Sequence, residues 1–291
     1  MKILLTGSNG QVGTEIIKIS KQLKFDLISM DKAQLNIIDY AVLERQIIKY
    51  KPEVIINAAA YTNVEKAEEQ KVLAEGTNSH AVKNLAEICK NYSILLIHIS
   101  TDYVFNGQKK SDYSETDDTD PINTYGKTKL LGEDAIRSLL EEYIIIRTSW
   151  IFGIQGNNFV KNIIKLARKE KEIRVINDQW GSPTSSKSIA KAISKIIQDY
   201  SKNKEINSGI YHFSGTPATN WYEFARQICD LAYKKGVIDH LPSIQPVPSS
   251  TFKTIANRPL NSCLNSEKIY KIFGIKQGNW NNDLIEMIDS F

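Results

Sequence analysis

Three side chains have the types and spacing needed to move a proton at a carbonyl group. Thr101 ends an apolar run, and Tyr125 and Lys129 follow 24 and 28 residues later. Positions four apart share one face of a helix, so the amino group of Lys129 is expected beside the phenol of Tyr125. A nearby positive charge lowers a tyrosine pKa, which would make Tyr125 a proton donor or acceptor near neutral pH. Thr101 would hydrogen-bond the same substrate oxygen.

A glycine-rich turn near the N-terminus predicts a dinucleotide cofactor. An apolar strand is expected at Lys2–Thr6, then come Gly7, Gly10 and Gly13, and apolar residues at helical spacing continue to Leu23. Strand, glycine turn and helix in this order are typical of dinucleotide binding: the glycines permit the tight turn, the approach of the pyrophosphate and the close packing of the helix. The alternative is a plain glycine turn.

An acidic residue follows the second expected strand at the position where a ribose would lie. Asp31 is placed to hydrogen-bond the adenosine ribose, and a carboxylate there repels a 2′-phosphate, which favours NADH. Lys32 next to it would weaken that preference, and an ordinary turn aspartate is the alternative. The sequence therefore predicts NADPH or NADH without choosing between them.

The composition is that of an ordinary globular protein. Of 291 residues, 42% are hydrophobic and 24% charged, and the formal net charge is +4. No basic stripe with interleaved aromatic residues is present, which argues against nucleic acid as a partner. No apolar run approaches ~18 residues, so no membrane segment is expected and a cytoplasmic location is predicted. The three cysteines are far apart and predict neither a disulfide framework nor a zinc site.

Strands and helices alternate through the first half of the chain. Strands are expected at 54–57, 94–100 and 143–148, with helices between them. This alternation predicts an α/β fold with a Rossmann-type doubly wound parallel sheet and a smaller mixed α/β substrate-binding lobe. We expect a dinucleotide-binding domain at 1–150 and a lobe mainly at 151–291. Segments near 173–200 and 209–214 are expected to return to the first domain.

Several motifs together resemble the extended short-chain dehydrogenase/reductases. They are Gly7-x-x-Gly10-x-x-Gly13, Ser100-Thr101-Asp102-Tyr103-Val104-Phe105, Tyr125-Gly126-Lys127-x-Lys129 and Arg147-Thr148-Ser149-Trp150. The blocks at 57–62 and 178–184 are similar to those of the family members that act on dTDP-activated 6-deoxy sugars.

The resemblance implies an activity and a role for each catalytic residue. The activity is NAD(P)H-dependent reduction of the 4-keto group of dTDP-4-dehydro-L-rhamnose to give dTDP-L-rhamnose. Tyr125 would protonate the developing alkoxide, Lys129 would tune Tyr125 and bind the nicotinamide ribose, and Thr101 would hydrogen-bond the carbonyl oxygen.

The resemblance also implies two sets of contact residues. Those expected to contact the cofactor, besides Gly7, Gly13, Tyr125 and Lys129, are Gly10, Gln11, Val12, Asp31, Asn36, Ile37, Ala60, Tyr61, Thr62 and Ile99. Those expected to contact the dTDP-sugar, besides Thr101 and Tyr125, are Val64, Asp102 and Trp150.

Two positions depart from the family pattern. Asn36 stands where an aspartate is usual, so adenine binding is expected to differ in detail. Some members dimerise through magnesium held by acidic side chains, and here Lys187 lies in the corresponding helix while Glu15 is kept. A lysine repels a cation, so we predict no metal and a monomer or weak homodimer.

Three alternatives remain at this stage. The chain could be a nucleotide-sugar epimerase or dehydratase, a reductase of another dTDP-6-deoxy-hexulose, or a non-catalytic regulatory relative. Asp102 follows Thr101 but no glutamate does, which argues against dehydration. The intact Thr101, Tyr125 and Lys129 argue against a regulatory role.

Overall fold

The computed structural model describes residues 1–291. The strands are β1 (Lys2–Thr6), β2 (Asp26–Met30), β3 (Val54–Asn57), β4 (Leu95–Thr101), β5 (Tyr143–Thr148), β6 (Ile151–Phe152), β7 (Glu172–Ile176), β8 (Trp180–Gly181), β9 (Thr184–Ser185), β10 (Gly209–His212), β11 (Thr219–Asn220) and β12 (Ser243–Val247). The helices are α1 (Gln11–Leu23), α2 (Tyr40–Tyr50), α3 (Val64–Glu69), α4 (Lys71–Glu75), α5 (Ala81–Tyr92), α6 (Thr124–Leu139), α7 (Phe159–Ala167), α8 (Ser186–Asn203), α9 (Trp221–Lys234), α10 (Glu267–Phe273) and α11 (Trp280–Ile288). No helix combines the length and the apolar character needed to cross a bilayer.

Six parallel strands form the central sheet in the order β10-β5-β4-β3-β1-β2. Their apolar runs are nearly continuous because helices cover both faces of the sheet. Helices α1 and α8 pack on one face, and α2, α5 and α6 on the other. The predicted doubly wound α/β fold is confirmed. The order of strand addition reverses between β1 and β3, and such sheets bind ligands at this switch point, at their carboxyl edge.

A second lobe has its own apolar core, formed mainly by α7, α9, α11 and β7. Strand β7 pairs with β12 in this lobe, so residues 172–176 do not join the central sheet. Strand β10 pairs with β5, and α8 packs on α1, so these later segments do lie with the first half of the chain. The division into two domains at residue 150 stays a prediction.

Candidate active site

The glycine turn brings backbone of β1, β3 and α1 into direct contact. Gly7 has φ +69°, and a Cβ there would lie 2.6 Å from the carbonyl carbon of Ala58. A Cβ on Gly13 would lie 2.3 Å from the oxygen of Gly7. Gly10 begins α1 without any side-chain cap, so the first N–H groups of this helix have no partner from a capping side chain. Such a helix end attracts an anion.

A cleft of about 300 Å³ opens at this turn. Seven of the residues expected to contact the cofactor line it, namely Gly7, Gly10, Asp31, Asn36, Ile37, Ala60 and Tyr61. The other members of that set lie outside its lining: Val12 and Gly13 are buried under the turn, Gln11 accepts a hydrogen bond from Asn158, Thr62 is exposed, and Ile99 packs on the core.

Asp31 is engaged by its own turn and by the glycine loop. One carboxylate oxygen accepts from the backbone N–H groups of Ala33 (2.9 Å) and Gln34 (3.0 Å), and the other accepts from the Asn9 amide at 2.6 Å. Asp31 therefore stabilises its own turn and also lines the cleft, so the two interpretations of this residue do not exclude each other. The carboxylate fixes the shape of the cleft wall as well as its charge.

A π-helical turn at Gly76–His80, between α4 and α5, holds the opposite wall. The buried Asn78 amide accepts from the backbone N–H of Tyr61 at 2.8 Å and donates to the carbonyl of the same residue at 3.0 Å. It also donates to Thr128 on α6 at 3.1 Å. The Asn78 amide thus holds the segment that follows β3. The Asn78 side chain thus connects the wall of the cleft to helix α6.

The end of β4 and the start of α6 bring Thr101 and Tyr125 together. Gly126 makes this approach possible, because a Cβ there would lie 2.1 Å from the backbone oxygen of Tyr103. Asn123 caps the helix by accepting from the N–H of Gly126 at 2.8 Å. The Thr101 hydroxyl lies close enough to the Tyr125 phenol to lower the pKa of that phenol.

Burial determines the protonation of Tyr125. Removal of the phenol from water raises the pKa of Tyr125, the nearby Thr101 hydroxyl lowers it, and the Asp102 carboxyl raises it, so that the pKa of Tyr125 is about 12. Lys129 makes no contribution, so our expectation of a lowered tyrosine pKa is wrong for this arrangement. The phenol is protonated at neutral pH, which suits a proton donor.

The amino group of Lys129 is held by residues of the central sheet. Its Nζ lies 2.7 Å from the carbonyl oxygen of Ile99 and 3.0 Å from Nε2 of His98, and its side chain is 1% exposed. Nδ1 of His98 in turn lies 2.9 Å from the Asn57 amide. We did not predict His98 and Asn57 as partners of Lys129. The available signal was a pair of polar residues inside buried parallel strands, where each polar group needs a partner.

Asp102 is the most perturbed carboxyl of the site. Its side chain is 3% exposed, Oδ1 accepts from the Thr101 hydroxyl at 3.0 Å, and Oδ2 has no partner. Burial raises the pKa of Asp102 to about 7, although the nearby hydroxyl groups of Ser262 and Thr101 act in the opposite direction. Asp102 therefore titrates in the neutral range, beside the phenol.

The raised pKa makes stability depend on pH. Between pH about 4 and about 7, the folded protein holds a proton on Asp102 that the unfolded chain has released, so the free energy of unfolding falls as pH rises and this contribution is lost above pH about 7. Asp102→Asn removes the titration. We expect the free energy of unfolding of the variant minus that of the unchanged chain to be larger at pH 8 than at pH 4. The increase should be a few kcal/mol, roughly 1.4 kcal/mol for each unit of pKa shift.

Urea denaturation at a series of pH values measures the difference. Asp134→Asn is the matched control, because Asp134 lies on the surface of α6 in an exposed pair with Arg137. The control should follow the unchanged chain at every pH. Parallel curves for Asp102→Asn and the unchanged chain would contradict the assignment.

The remaining residues expected to contact the sugar lie at the junction of the two lobes. Val64 begins α3. The Trp150 ring stacks on Trp221, with centroids 3.5 Å apart and planes within 5°, and it also packs against Gly181. We did not predict Trp221 at this place. Contacts of Val64 and Trp150 with a substrate stay predictions.

Both residues considered for a shared metal have an oppositely charged partner in the chain. Glu15 pairs with Lys18 at 2.6 Å, and Lys187 pairs with Glu286 of α11. Within the chain, no group of three or more His, Cys, Asp or Glu side chains is placed to hold a metal ion. The expected absence of metal and the expected monomer or weak homodimer stay predictions.

The whole chain, residues 1–291, matches the family described as RmlD substrate binding domain. The chain belongs to this family. Among its relatives is the dTDP-4-dehydrorhamnose reductase of Aggregatibacter actinomycetemcomitans, 38% identical over 284 residues that cover 97% of each chain. The enzyme of the same name from Escherichia coli K12 is 36% identical over 293 residues, which cover 99% of this chain and 97% of the relative.

Solved structures of the RmlD family share the full architecture. A dTDP-4-dehydrorhamnose reductase from Clostridium acetobutylicum has a TM-score of 0.92 at 37% identity, covering 100% of this chain and 99% of the other. The reductase from Bacillus anthracis, solved in complex with NADP, has a TM-score of 0.91 at 32% identity with the same coverage. The family resemblance seen in the motifs is therefore confirmed over the whole length.

Proposed function

We propose that this protein reduces the 4-keto group of dTDP-4-dehydro-L-rhamnose with NADPH or NADH and releases dTDP-L-rhamnose. The observation that carries the proposal is that the buried Thr101 at the end of β4 lies beside the half-buried Tyr125 of α6, next to a glycine-lined cleft at the switch point of the sheet. Full-length relatives named dTDP-4-dehydrorhamnose reductase support the choice of substrate.

The residues of the cleft fit a nicotinamide dinucleotide. The uncapped start of α1 and the close approach at Gly10 suit a pyrophosphate, and the wall at Ala58–Ala60 is made of small residues. The cofactor, when bound, supplies the hydride that reduces the ketone. We propose that the expected contact residues lining the cleft hold its adenosine and phosphate parts.

Three side chains of the protein supply the proton for the reduction and determine when it is released. We propose that Thr101 hydrogen-bonds the carbonyl oxygen and that Tyr125 donates its phenolic proton to the same oxygen as negative charge develops there. A phenol with its pKa raised to about 12 keeps its proton until an alkoxide forms. Asp102, titrating near pH 7, acts on Tyr125 by charge and on Thr101 by a hydrogen bond.

A direct assay tests the function. Purified protein is incubated with dTDP-4-dehydro-L-rhamnose and either NADPH or NADH, absorbance of the reduced nicotinamide is followed, and the product is identified by NMR and mass spectrometry. We expect cofactor oxidation with formation of dTDP-L-rhamnose. Absence of turnover with both cofactors, or a product with the ketone retained but a stereocentre inverted, would overturn the proposal, the latter in favour of epimerisation.

Gly13→Ala should weaken cofactor binding. The new Cβ would lie 2.3 Å from the oxygen of Gly7 and 2.9 Å from Cα of Ser8, so the turn that shapes the cleft must move. We expect the Kd for NADPH to rise more than tenfold, which corresponds to a loss of about 1.4 kcal/mol of binding free energy. Fluorescence titration of the purified variant measures the Kd.

Gly76→Ala is the control for the glycine variant. Its Cβ would meet only the end of the Ile38 side chain, at 3.8 Å, and Gly76 has helical backbone geometry. Its Kd should stay within about threefold of the unchanged value, a difference of less than ~0.7 kcal/mol. Equal affinities for the two variants would show that Gly13 does not shape the cofactor site.

A further inference from the structure

One carboxylate of helix α3 holds the first turn of helix α6, which carries Tyr125. Oε1 of Glu68 accepts from the backbone N–H of Thr124 at 2.8 Å, and Oε2 accepts from the hydroxyl of the same residue at 2.7 Å. Thr124 is the first residue of α6, and its N–H is one of the groups that a helix leaves without an internal partner. Because Glu68 belongs to another element, it fixes this end of α6 from outside the helix.

The same turn of α6 has a second attachment, on the side of the substrate lobe. Oδ1 of Asn123 accepts from the N–H of Gly126 at 2.8 Å, and its Nδ2 donates to the carbonyl of Asn257, also at 2.8 Å. Tyr125 therefore lies in a turn that is bonded to α3 on one side and to the segment before Arg258 on the other. Glu68 supplies the attachment on the cofactor side, since α3 follows β3 and the wall of the cleft along the chain.

Helix α3 is itself fixed, so the Glu68 side chain starts from a defined position. Asn63 caps the start of α3 by accepting a backbone N–H of its first turn at 3.0 Å, and Ala67 is fully buried. Glu65, one turn before Glu68, pairs with Arg258 at 2.7 Å. A six-residue helix with these contacts can act as a support for the neighbouring helix.

The Glu68 carboxylate is charged at neutral pH. Partial removal from water raises the pKa of Glu68, but the hydroxyl and N–H of Thr124 and the nearby Lys71 and Lys127 lower it, so that it lies below its usual value. Hydrogen bonds to a charged acceptor are stronger than those between neutral groups, and a negative charge at the start of a helix also interacts favourably with the helix dipole.

We propose that Glu68 is a positioning residue for Tyr125. The inference rests on the proposed function in taking Tyr125 as the proton donor. Thr124 and Tyr125 are consecutive, so loosening of the first turn moves the phenol relative to Thr101 and the cleft. A displacement of about 1 Å at a reacting group can lower a rate about 10²-fold. Glu68 does not line the cleft and acts on the reaction only through Thr124.

Steady-state kinetics of three Glu68 variants separate reach from charge. Glu68→Ala should lower kcat about 10- to 100-fold and leave KM for the ketone within about threefold, because the binding surfaces stay and the proton donor is displaced. Glu68→Gln offers an acceptor to the N–H of Thr124 and a donor to its hydroxyl, so kcat should return to within about threefold of the unchanged value. Glu68→Asp keeps the charge but is one methylene too short, and it should resemble Glu68→Ala.

Glu69→Ala is the matched control for the kinetics, because Glu69 is the exposed neighbour on the same helix. Its kcat and KM should equal those of the unchanged chain. An unchanged kcat in Glu68→Ala, a loss that appears only in KM, or equal losses in the Gln and Ala variants would overturn the proposal. If Glu68→Ala does not fold, the comparison of the Gln and Asp variants decides.

Hydrogen exchange followed by mass spectrometry examines the first turn of α6 without any assay of activity. In Glu68→Ala and Glu68→Asp, the backbone amides of residues 124–127 should exchange about tenfold faster or more, whereas those of α1 and those of the Glu69→Ala control should not change. Equal exchange in all of these proteins would overturn the proposal. A chain that reduces no ketone but shows the expected exchange would refute the proposed function and retain Glu68 as the support of α6.

Discussion

Tyr125→Phe is expected to reduce kcat/KM for the ketone by about 10²- to 10⁴-fold, the usual contribution of a positioned general acid. The variant keeps the ring that packs edge-on against Tyr103, with centroids 5.9 Å apart, and loses only the hydroxyl near Thr101. The fold and the cleft should therefore persist. Steady-state kinetics measure the loss, and a fluorescence titration should show NADPH binding within about threefold of the unchanged Kd, or less than ~0.7 kcal/mol.

Tyr103→Phe is the matched control. It removes the hydroxyl of the neighbouring, half-buried ring, and the pKa of this phenol is raised by removal from water and by Asp102. The hydroxyl of Tyr103 interacts with Arg258, whereas that of Tyr125 interacts with Thr101, so kcat/KM should fall less than tenfold, which is below ~1.4 kcal/mol. Unchanged turnover in Tyr125→Phe, or equal losses in the two variants, would show that the proton comes from another group.

Glu133→Gln is expected to destabilise the fold by about 3–5 kcal/mol. The carboxylate is fully buried and receives both Nε and Nη2 of Arg147, at 3.0 and 2.6 Å, together with the hydroxyl of Ser100. The amide has almost the same volume, so the loss comes from leaving a guanidinium uncompensated in the core. One nitrogen of that guanidinium, Nη1, already has no partner. Urea denaturation measures the free energy of unfolding.

Two further variants separate charge from packing. Asp134→Asn makes the same chemical change one residue away, in an exposed pair with Arg137 at 3.4 Å, and should cost less than about 0.5 kcal/mol. The double variant Glu133→Leu with Arg147→Met removes both charges and should recover most of the loss. If the double variant is as unstable as Glu133→Gln, the pair stabilises by shape and not by charge.

The sequence predicted the parts of the site that depend on local pattern. Gly7, Gly10 and Gly13 stand directly between a strand and a helix, and the four-residue spacing of Tyr125 and Lys129 places both on α6. The apolar runs of the central strands are also local, since a parallel sheet covered on both faces needs no alternation. Because these strands are parallel, their carboxyl ends lie at the same edge of the sheet.

The predictions that were wrong or missing concern features that depend on the three-dimensional surroundings of a residue. The orientation of Lys129 is set by His98, 31 residues earlier on another element, and the protonation of Tyr125 is set by burial, which residue spacing does not report. Strand β7 reads like any short strand, yet its partner β12 lies about 70 residues further on. The stacking of Trp150 on Trp221 is equally non-local.

The position of β10 at the end of the central sheet has a consequence during synthesis. β5 pairs with its outer neighbour only when the ribosome has made residue 212, and the part of the sheet face that α8 covers stays exposed until residue 203 is available. A nascent chain halted after β5 would expose an unpaired strand edge and an apolar surface, and these features recruit chaperones and promote aggregation. The first half of this gene therefore cannot be exchanged as a module. Its cofactor-binding part becomes a stable body only once much of the later sequence has emerged.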